Sequence, residues 1–320
     1  MKHERIQLAF KLIFSHLVII PIILGSSLFI GNDLFLILSI TQTVLLILFF
    51  SGYWEFFGLT FRLIYCACIE AILIGILLLK IPGRVSTEFI GFFTILLAII
   101  QIFLIYVLIK IFVAIFRKEK NRLEIEFPFN TGKYLITDGG NSKISRIMNY
   151  HFHSAIHKKN KTNYSMMFAT DIVRLDGKNK GFMPRNNESY AIFENTVISP
   201  IQGRIVRVVN DIDDNIPYCG NYPYNTGNTI VIQRDDLYLL LGHLRKGSIR
   251  VSVGDLVNEN DQLALAGNSG YSERPHLHFQ LIQSSTSNYW TGRGISMQFR
   301  TKNLFKNRVV ELQKSQYIYC

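Results

Sequence analysis

The 320-residue sequence predicts a membrane-embedded α-helical region joined to a β-rich domain built on an antiparallel sheet or open barrel. Three observations predict this. From Met1 to about Phe116 long apolar runs are interrupted by few charges, and from Arg117 onward the chain is polar. The second part carries short segments of alternating apolar and polar residues separated by Gly, Pro, Asn and Asp turn signals. Histidines fall inside those segments, at His243, His276 and His278. The expected organisation is a membrane region over 1–116, a linker over 117–135 and a domain over 136–320, with its motif core at 139–282. A domain of that size buries a core without covalent staples.

In the first region four windows approach the roughly 20 apolar residues a spanning helix needs: Leu12–Ile30, Leu34–Phe50, Gly58–Leu79 and Phe89–Phe116. The second is short and contains Thr41, Gln42 and Thr43. Further spans follow the first, and no small-residue cleavage site stands out, so it reads as a span and not as a removable leader. Arg62 and Glu70 read as residues near helix ends or as a pair, and no transport pathway is suggested. Four spans put both termini on one side. Lys2, Arg5 and Lys11 at the start, and Arg117, Lys118, Lys120 and Arg122 at the end, favour the cytoplasm for both.

The net charge is +11. Residues 1–116 hold seven cationic and five acidic side chains, a balance of +2, which leaves +9 for the rest. A basic surface suits an anionic partner such as nucleic acid, acidic lipid or an anionic wall polymer. No nucleic-acid-binding motif accompanies the charge, so nucleic acid is not the expected partner. Four cysteines make no disulfide framework. Cys66 and Cys68 sit in an apolar run as packing residues, and Cys219 could pair with Cys320 only in an oxidising compartment. The polar part contains no C-x-x-C metal-binding pair.

Strands are expected in order. Thr196–Val209 is one alternating stretch broken by a Pro–Gly turn, and Asn228–Gln233 and Leu237–His243 form a hairpin around Arg234-Asp-Asp236. Val251–Val257, Gln262–Ala266 and His276–Ile282 continue the pattern. The last segment, Gln283–Cys320, would cover the sheet or remain mobile. In a strand successive side chains alternate between faces, so His276 and His278 share one. A lone strand histidine is usually a satisfied polar residue. Two on one face, after a glycine-rich loop, point to a metal site.

Gly267-Asn-Ser-Gly-Tyr-Ser-Glu-Arg-Pro-His-Leu-His-Phe279 resembles the signature of the lysostaphin-type zinc endopeptidases, in which G-x-S-G-x-S/T leads into P-H-L-H-F. Val197–Val206 resembles that family's V-x-S-P-x-x-G-x-V segment, Gly242-His243-Leu244 its G-H-L, and Val251–Gly270 its V-x-V-G-D stretch leading to G-N-S-G. The resemblance covers about Gly139 to Ile282 and none of the apolar region.

It implies a metallopeptidase domain holding Zn2+ through a histidine, an aspartate and the second histidine of H-x-H. Carried over, His278 and Asp171 are ligands. For the third, the common family form has three residues between His and Asp, whereas His151, His153 and His157 all lie further from Asp171. A variant reading N-x-H … Y-A-x-D-I fits Asn149-Tyr-His151, which favours His151, with His157 next and His153 also open. By the same resemblance His243 and His276 are catalytic and not ligands: they orient or deprotonate water and handle the leaving amine. Imidazole, with an ordinary pKa near 6.5, suits that work. The absence of H-E-x-x-H excludes a thermolysin-like reading.

The implied substrate is a peptide cross-link of bacterial peptidoglycan, with the enzyme a multi-pass protein of the bacterial cell membrane. Wall chemistry places the domain outside the cytoplasm, against the charge pattern above. One competing reading is a catalytically inactive module that binds cell wall or activates a partner hydrolase. Another is a lipoyl-like carrier, which lacks the lysine it would need at a hairpin tip between Val197 and Gly270 and leaves H-x-H unexplained.

Overall fold

A computed structural model describes residues 121–140, 149–153, 155–156, 161–162, 164–177, 183–219, 222, 225–299, 302–303 and 308–313, with isolated helical positions between 64 and 113. The chain divides into two compact units, one of His3–Val113 and one of Ala114–Cys320 together with Met1–Lys2. The windows Leu12–Ile30 and Leu34–Phe50 lie outside the described residues, and the other two fall within them only at single positions. Among these, Ile99, Ile102, Phe103, Tyr106, Ile109 and Val113 are helical and exposed. Among the described residues no helix is long and apolar enough to cross a membrane.

The second unit is a sheet protein. In chain order its strands are β1 (Arg122–Glu124), β2 (Gly132–Asp138), β3 (Ala155–Ile156), β4 (Lys161–Thr162), β5 (Thr170–Arg174), β6 (Thr196–Ile198), β7 (Gly203–Val209) and β8 (Asn228–Arg234). There follow β9 (Leu237–Leu244), β10 (Leu256–Val257), β11 (Gln262–Leu265), β12 (Leu277–Gln283), β13 (Arg293–Phe299), β14 (Lys302–Asn303) and β15 (Val309–Leu312). The main sheet runs β10-β7-β8-β9-β12-β5-β2-β15, with β13 branching from β12 and carrying β1 and β14. Its pairings are antiparallel except β1 with β13. β6 pairs with β11 and β3 with β4 in two small ribbons.

Alternation places the core. Leu277, Phe279 and Leu281 of β12 enter the main apolar cluster with Ile230, Ile232, Leu239, Leu241, Ile172 and Ile136. Burying such side chains contributes roughly 1.5–3 kcal/mol each, so the β9–β12–β5 centre supplies much of the sheet's hydrophobic stabilisation. The other face of β12 presents His278, Gln280 and then Ile282, which packs with Val231, Tyr238, Leu240 and Tyr289.

Two expectations are corrected. Residues 122–135, read from sequence as linker, belong to the domain: β1 and the start of β2 are paired strands, Phe129 stacks on Tyr134 in the core, and Phe127 packs tilted against the same ring. The basic run beside them obscured those aromatics. Val251–Val257 is extended only at β10, because Ser252, Gly254 and Asp255 form a turn in which the Ser252 amide donates to Asp255 Oδ2 at 2.7 Å. Where it is described, the tail neither covers the sheet nor hangs free of it but joins it as strands, since β13 pairs with β12 and β15 with β2. Cys219 carries a free thiol, and Cys320 lies outside the described residues.

Candidate metal centre

The site forms where β9, β12 and β5 run side by side. His278 and Asp171 are direct cross-strand partners, so their side chains leave the sheet on one face. His278 Nδ1 lies 3.0 Å from Asp171 Oδ1. On its other side His278 faces Gly242, where a Cβ would press on the Thr226 carbonyl at 3.0 Å and on the His278 Cβ at 3.5 Å. Glycine at 242 therefore leaves room for the Thr226 carbonyl, while the His278 Cβ stands at ordinary contact distance.

Two β-bulges aim the remaining groups. Between β8 and β9, Asn228 pairs with Leu244 and Ile230 with Leu241, which leaves Gly242 and His243 opposite one residue. His243 takes up the extra residue in a left-handed conformation, φ +59°, with its amide donating to Thr226 O at 2.7 Å. A non-glycine residue held there is strained, and bulges of this kind re-aim side chains beside functional sites. The second bulge, between Ile136 and Asp138 of β2, lies opposite Asp171.

His151 arrives from elsewhere. It sits in a 3-10 turn, Tyr150–His153, with Nε2 at 3.6 Å from Asp171 Oδ2. Asn149, fully buried, holds that turn. Its amide donates to Gly140 O at 2.8 Å and reaches the carbonyls of Ala169 and Met167 at 3.3 and 3.4 Å, while its Oδ1 accepts the His151 N–H at 2.9 Å. Asp138 Oδ1 accepts the Tyr150 amide at 3.1 Å. One side chain thus ties both ends of the long excursion to the residue it delivers.

The loop before β12 is pinned from several directions. Asn268 N–H donates to Asp214 Oδ1 at 2.6 Å, and the Asn215 amide meets the carbonyls of Asn268 and Gly270 at 2.7 Å each. Ser269 Oγ donates to Leu244 O and accepts from Asn228 N. At Gly270, φ +74°, a side chain would collide with Gly227 and Asn225. This loop sets the two remaining imidazoles. His243 Nδ1–H donates to Ser269 O at 2.8 Å and His276 Nδ1–H to Arg274 O at 2.8 Å, which leaves both Nε2 atoms as acceptors. His276 Nε2 lies 3.7 Å from Asp171 Oδ1, and the His243 and His276 rings are 4.7 Å apart.

Electrostatics separates the groups. Burial alone would raise the pKa of Asp171, but His151, His276 and His278 outweigh it and hold the carboxyl well below its ordinary value. Burial, followed by the charges of His276 and His278, pushes His243 well down, and burial likewise lowers His276. For His278 burial is overcome by the Asp171 hydrogen bond and charge, so its pKa rises. At neutral pH the arrangement is an ionised carboxylate beside two neutral Nε2 acceptors.

Among the described residues His151, Asp171 and His278 form a cluster whose ligand atoms all lie within 4.8 Å of one another. A tetrahedral zinc ion holds N and O donors about 3.4 Å apart, so a small inward movement would close the set. Two imidazoles and a carboxylate are the donor chemistry of such sites. Of the three histidines left open by the sequence, the structure brings His151 to Asp171; the His153 side chain and His157 lie outside the described residues. Sequence reasoning assigned no role to Asn149's amide or to Gln280, though the Asn two residues before His151 and the polar residue on the His278 face were visible signals.

Residues 189–289 match the family described as Peptidase family M23. That span contains His243, His276 and His278 but neither His151 nor Asp171. Endolysin 2638A of Staphylococcus phage 2638A is 48% identical over 61 residues, 18% of this chain and 13% of the endolysin. The glycyl-glycine endopeptidase ALE-1 of Staphylococcus capitis is 34% identical over 86 residues, 27% of this chain and 23% of its own. The chain therefore spans less than a quarter of the length of these curated relatives. A zinc-containing peptidase from Vibrio cholerae, known from a crystal structure, aligns with 53% of this chain and 39% of its own at 22% identity and a TM-score of 0.29. The match and the curated relatives support the lysostaphin-type peptidase resemblance of the C-terminal motif.

Proposed function

We propose that this chain is a zinc-dependent endopeptidase that hydrolyses peptide bonds of bacterial peptidoglycan, held at the membrane by its apolar N-terminal region with the sheet domain outside the cytoplasm. The observation that carries the reading is the meeting of His151, Asp171 and His278 beside two neutral, oriented imidazoles. His151, Asp171 and His278 would hold the ion. When bound there, zinc supplies a Lewis acid and lowers the pKa of a water toward about 7.

The chain's own residues do the rest. Asp171 is kept as a carboxylate, so its charge balances a cation without a proton to displace. His243 and His276 direct Nε2 lone pairs into the site because Ser269 O and Arg274 O occupy their Nδ1 protons. One Nε2 takes the proton of the attacking water, and the imidazolium so formed returns it to the leaving amine. The name of ALE-1, a glycyl-glycine endopeptidase, supports peptide-bond hydrolysis, and peptidoglycan as substrate rests on the lysostaphin-type motif and on the basic balance of the domain. The membrane tether rests on the four apolar windows and the exposed apolar helical positions from Ile99 to Val113.

The test is zinc content and muropeptide release by the purified full-length chain. Stoichiometric zinc with release, both lost in His278→Ala, is the expected result. Zinc without release favours a binding module, and absence of zinc refutes the reading.

A further inference from the structure

Gln280 is fully buried two residues after His278, on the same face of β12. His278 Nε2 lies 2.9 Å from Gln280 Oε1, while Gln280 Nε2 has no hydrogen-bond partner among the described residues. One step further along that face, Ile282 enters an apolar cluster. A buried amide with an unmatched donor is destabilising relative to a satisfied one, and an apolar side chain of the same shape would avoid the penalty. What an apolar side chain would not provide is the oxygen.

That oxygen decides which nitrogen of His278 keeps its proton. Oε1 only accepts, so Nε2 carries a proton. Nδ1 faces the Asp171 Oδ1 acceptor at 3.0 Å and donates to it in the metal-free protein, so it is the Nδ1 proton that a cation would displace. The reversed amide would donate to Nε2 and leave Nδ1 with the ring's only proton, which a metal ion could displace only by making the ring anionic. We propose that Gln280 is a positioning residue that holds the Nε2 proton of His278, so that Nδ1 is the nitrogen His278 offers to a cation at the His151–Asp171–His278 cluster. This rests on the zinc reading above. It assigns the unmatched amide a purpose: a donor is left unpaired so that the acceptor can face the ring.

The test compares full-length wild type with Gln280→Met, nearly isosteric but without an oxygen, and Gln280→Glu, which keeps an acceptor. The readouts are zinc dissociation constants from chelator competition and thermal melting of the metal-free proteins. Gln280→Met is expected to weaken zinc about 10- to 100-fold, the range for lost partners of ligating histidines, with metal-free melting unchanged or raised. Gln280→Glu is expected to bind at least as tightly as wild type. Unchanged affinity in Gln280→Met, or weakening in Gln280→Glu equal to it, overturns the proposal. Wild type that binds no zinc overturns the metal reading as well. If Gln280→Met fails to fold, Gln280→Glu decides alone: weaker binding than wild type overturns the proposal, and equal or tighter binding supports it.

Discussion

The site has two halves that are built differently. On one side His243, His276 and His278 come from β9, β12 and the loop between Gly267 and Pro275, a stretch where glycines, asparagines and serines pin the backbone at many points. All three fall inside the segment that matches the peptidase family. On the other side His151 is delivered by the 3-10 turn Tyr150–His153, which the buried amide of Asn149 ties to Gly140. Asp171 links the halves, because it is the cross-strand partner of His278 and its Oδ2 lies 3.6 Å from His151 Nε2. The contrast teaches that a ligand set need not be uniformly secured. A redundantly fixed half can define the position, and the second half then needs only enough hold to reach it.

The largest effect should come from removing groups in each half. Zinc should be lost from His151→Ala as fully as from His278→Ala, with hydrolysis at background for both. His243→Ala should keep its zinc and lose about 10²- to 10⁴-fold in kcat, the usual worth of a general acid–base group. Atomic absorption beside turnover measures both, and zinc retained in His151→Ala would break the two-half description.

A smaller effect sharpens it. Asn149→Ala frees carbonyls at Gly140 and Ala169 and the His151 amide, so zinc affinity should fall about 10- to 100-fold. Asn215→Ala, on the redundant side, should lower turnover while leaving affinity near wild type. Equal losses of affinity in the two variants would erase the distinction.

The smallest effect is on pH dependence of the metal-free chain. His278 has a raised pKa in the folded state, so its contribution is full below pH 6.5 and fades as pH climbs through the folded value. His243 and His276 have lowered pKa values, so below pH 6.5 the unfolded chain takes protons that the folded chain refuses, and stability falls. The combined histidine contribution peaks near pH 6.5. Urea unfolding midpoints between pH 5 and 8 would show the maximum in wild type, flattened in a His243→Phe, His276→Phe, His278→Phe triple variant.

Much of the redundant half was legible because its information is local. The two-residue spacing of His276 and His278 fixes a shared face, and turn residues mark the hairpin at Arg234-Asp-Asp236. The strands β8, β9, β11 and β12 follow from alternation within a few residues. β5 was less visible, since Thr170–Arg174 is short and offers little alternation to read. β13 did carry a signal, with Ile295, Met297 and Phe299 at period two, masked by the polar composition of the tail around it.

By itself, then, the sequence determined the β-rich class of the domain, the strand that carries His278, the candidate roles of five side chains, and a first preference for His151. These follow from side-chain period, turn chemistry and motif, all of which act between near neighbours. The tertiary structure alone decided that His151 reaches Asp171 across the intervening excursion, that bulges opposite Asp171 and at His243 aim those groups, and that Gln280 faces His278. Those facts depend on register between strands far apart in the chain, and register is set by how whole faces pack, which no short window of residues contains.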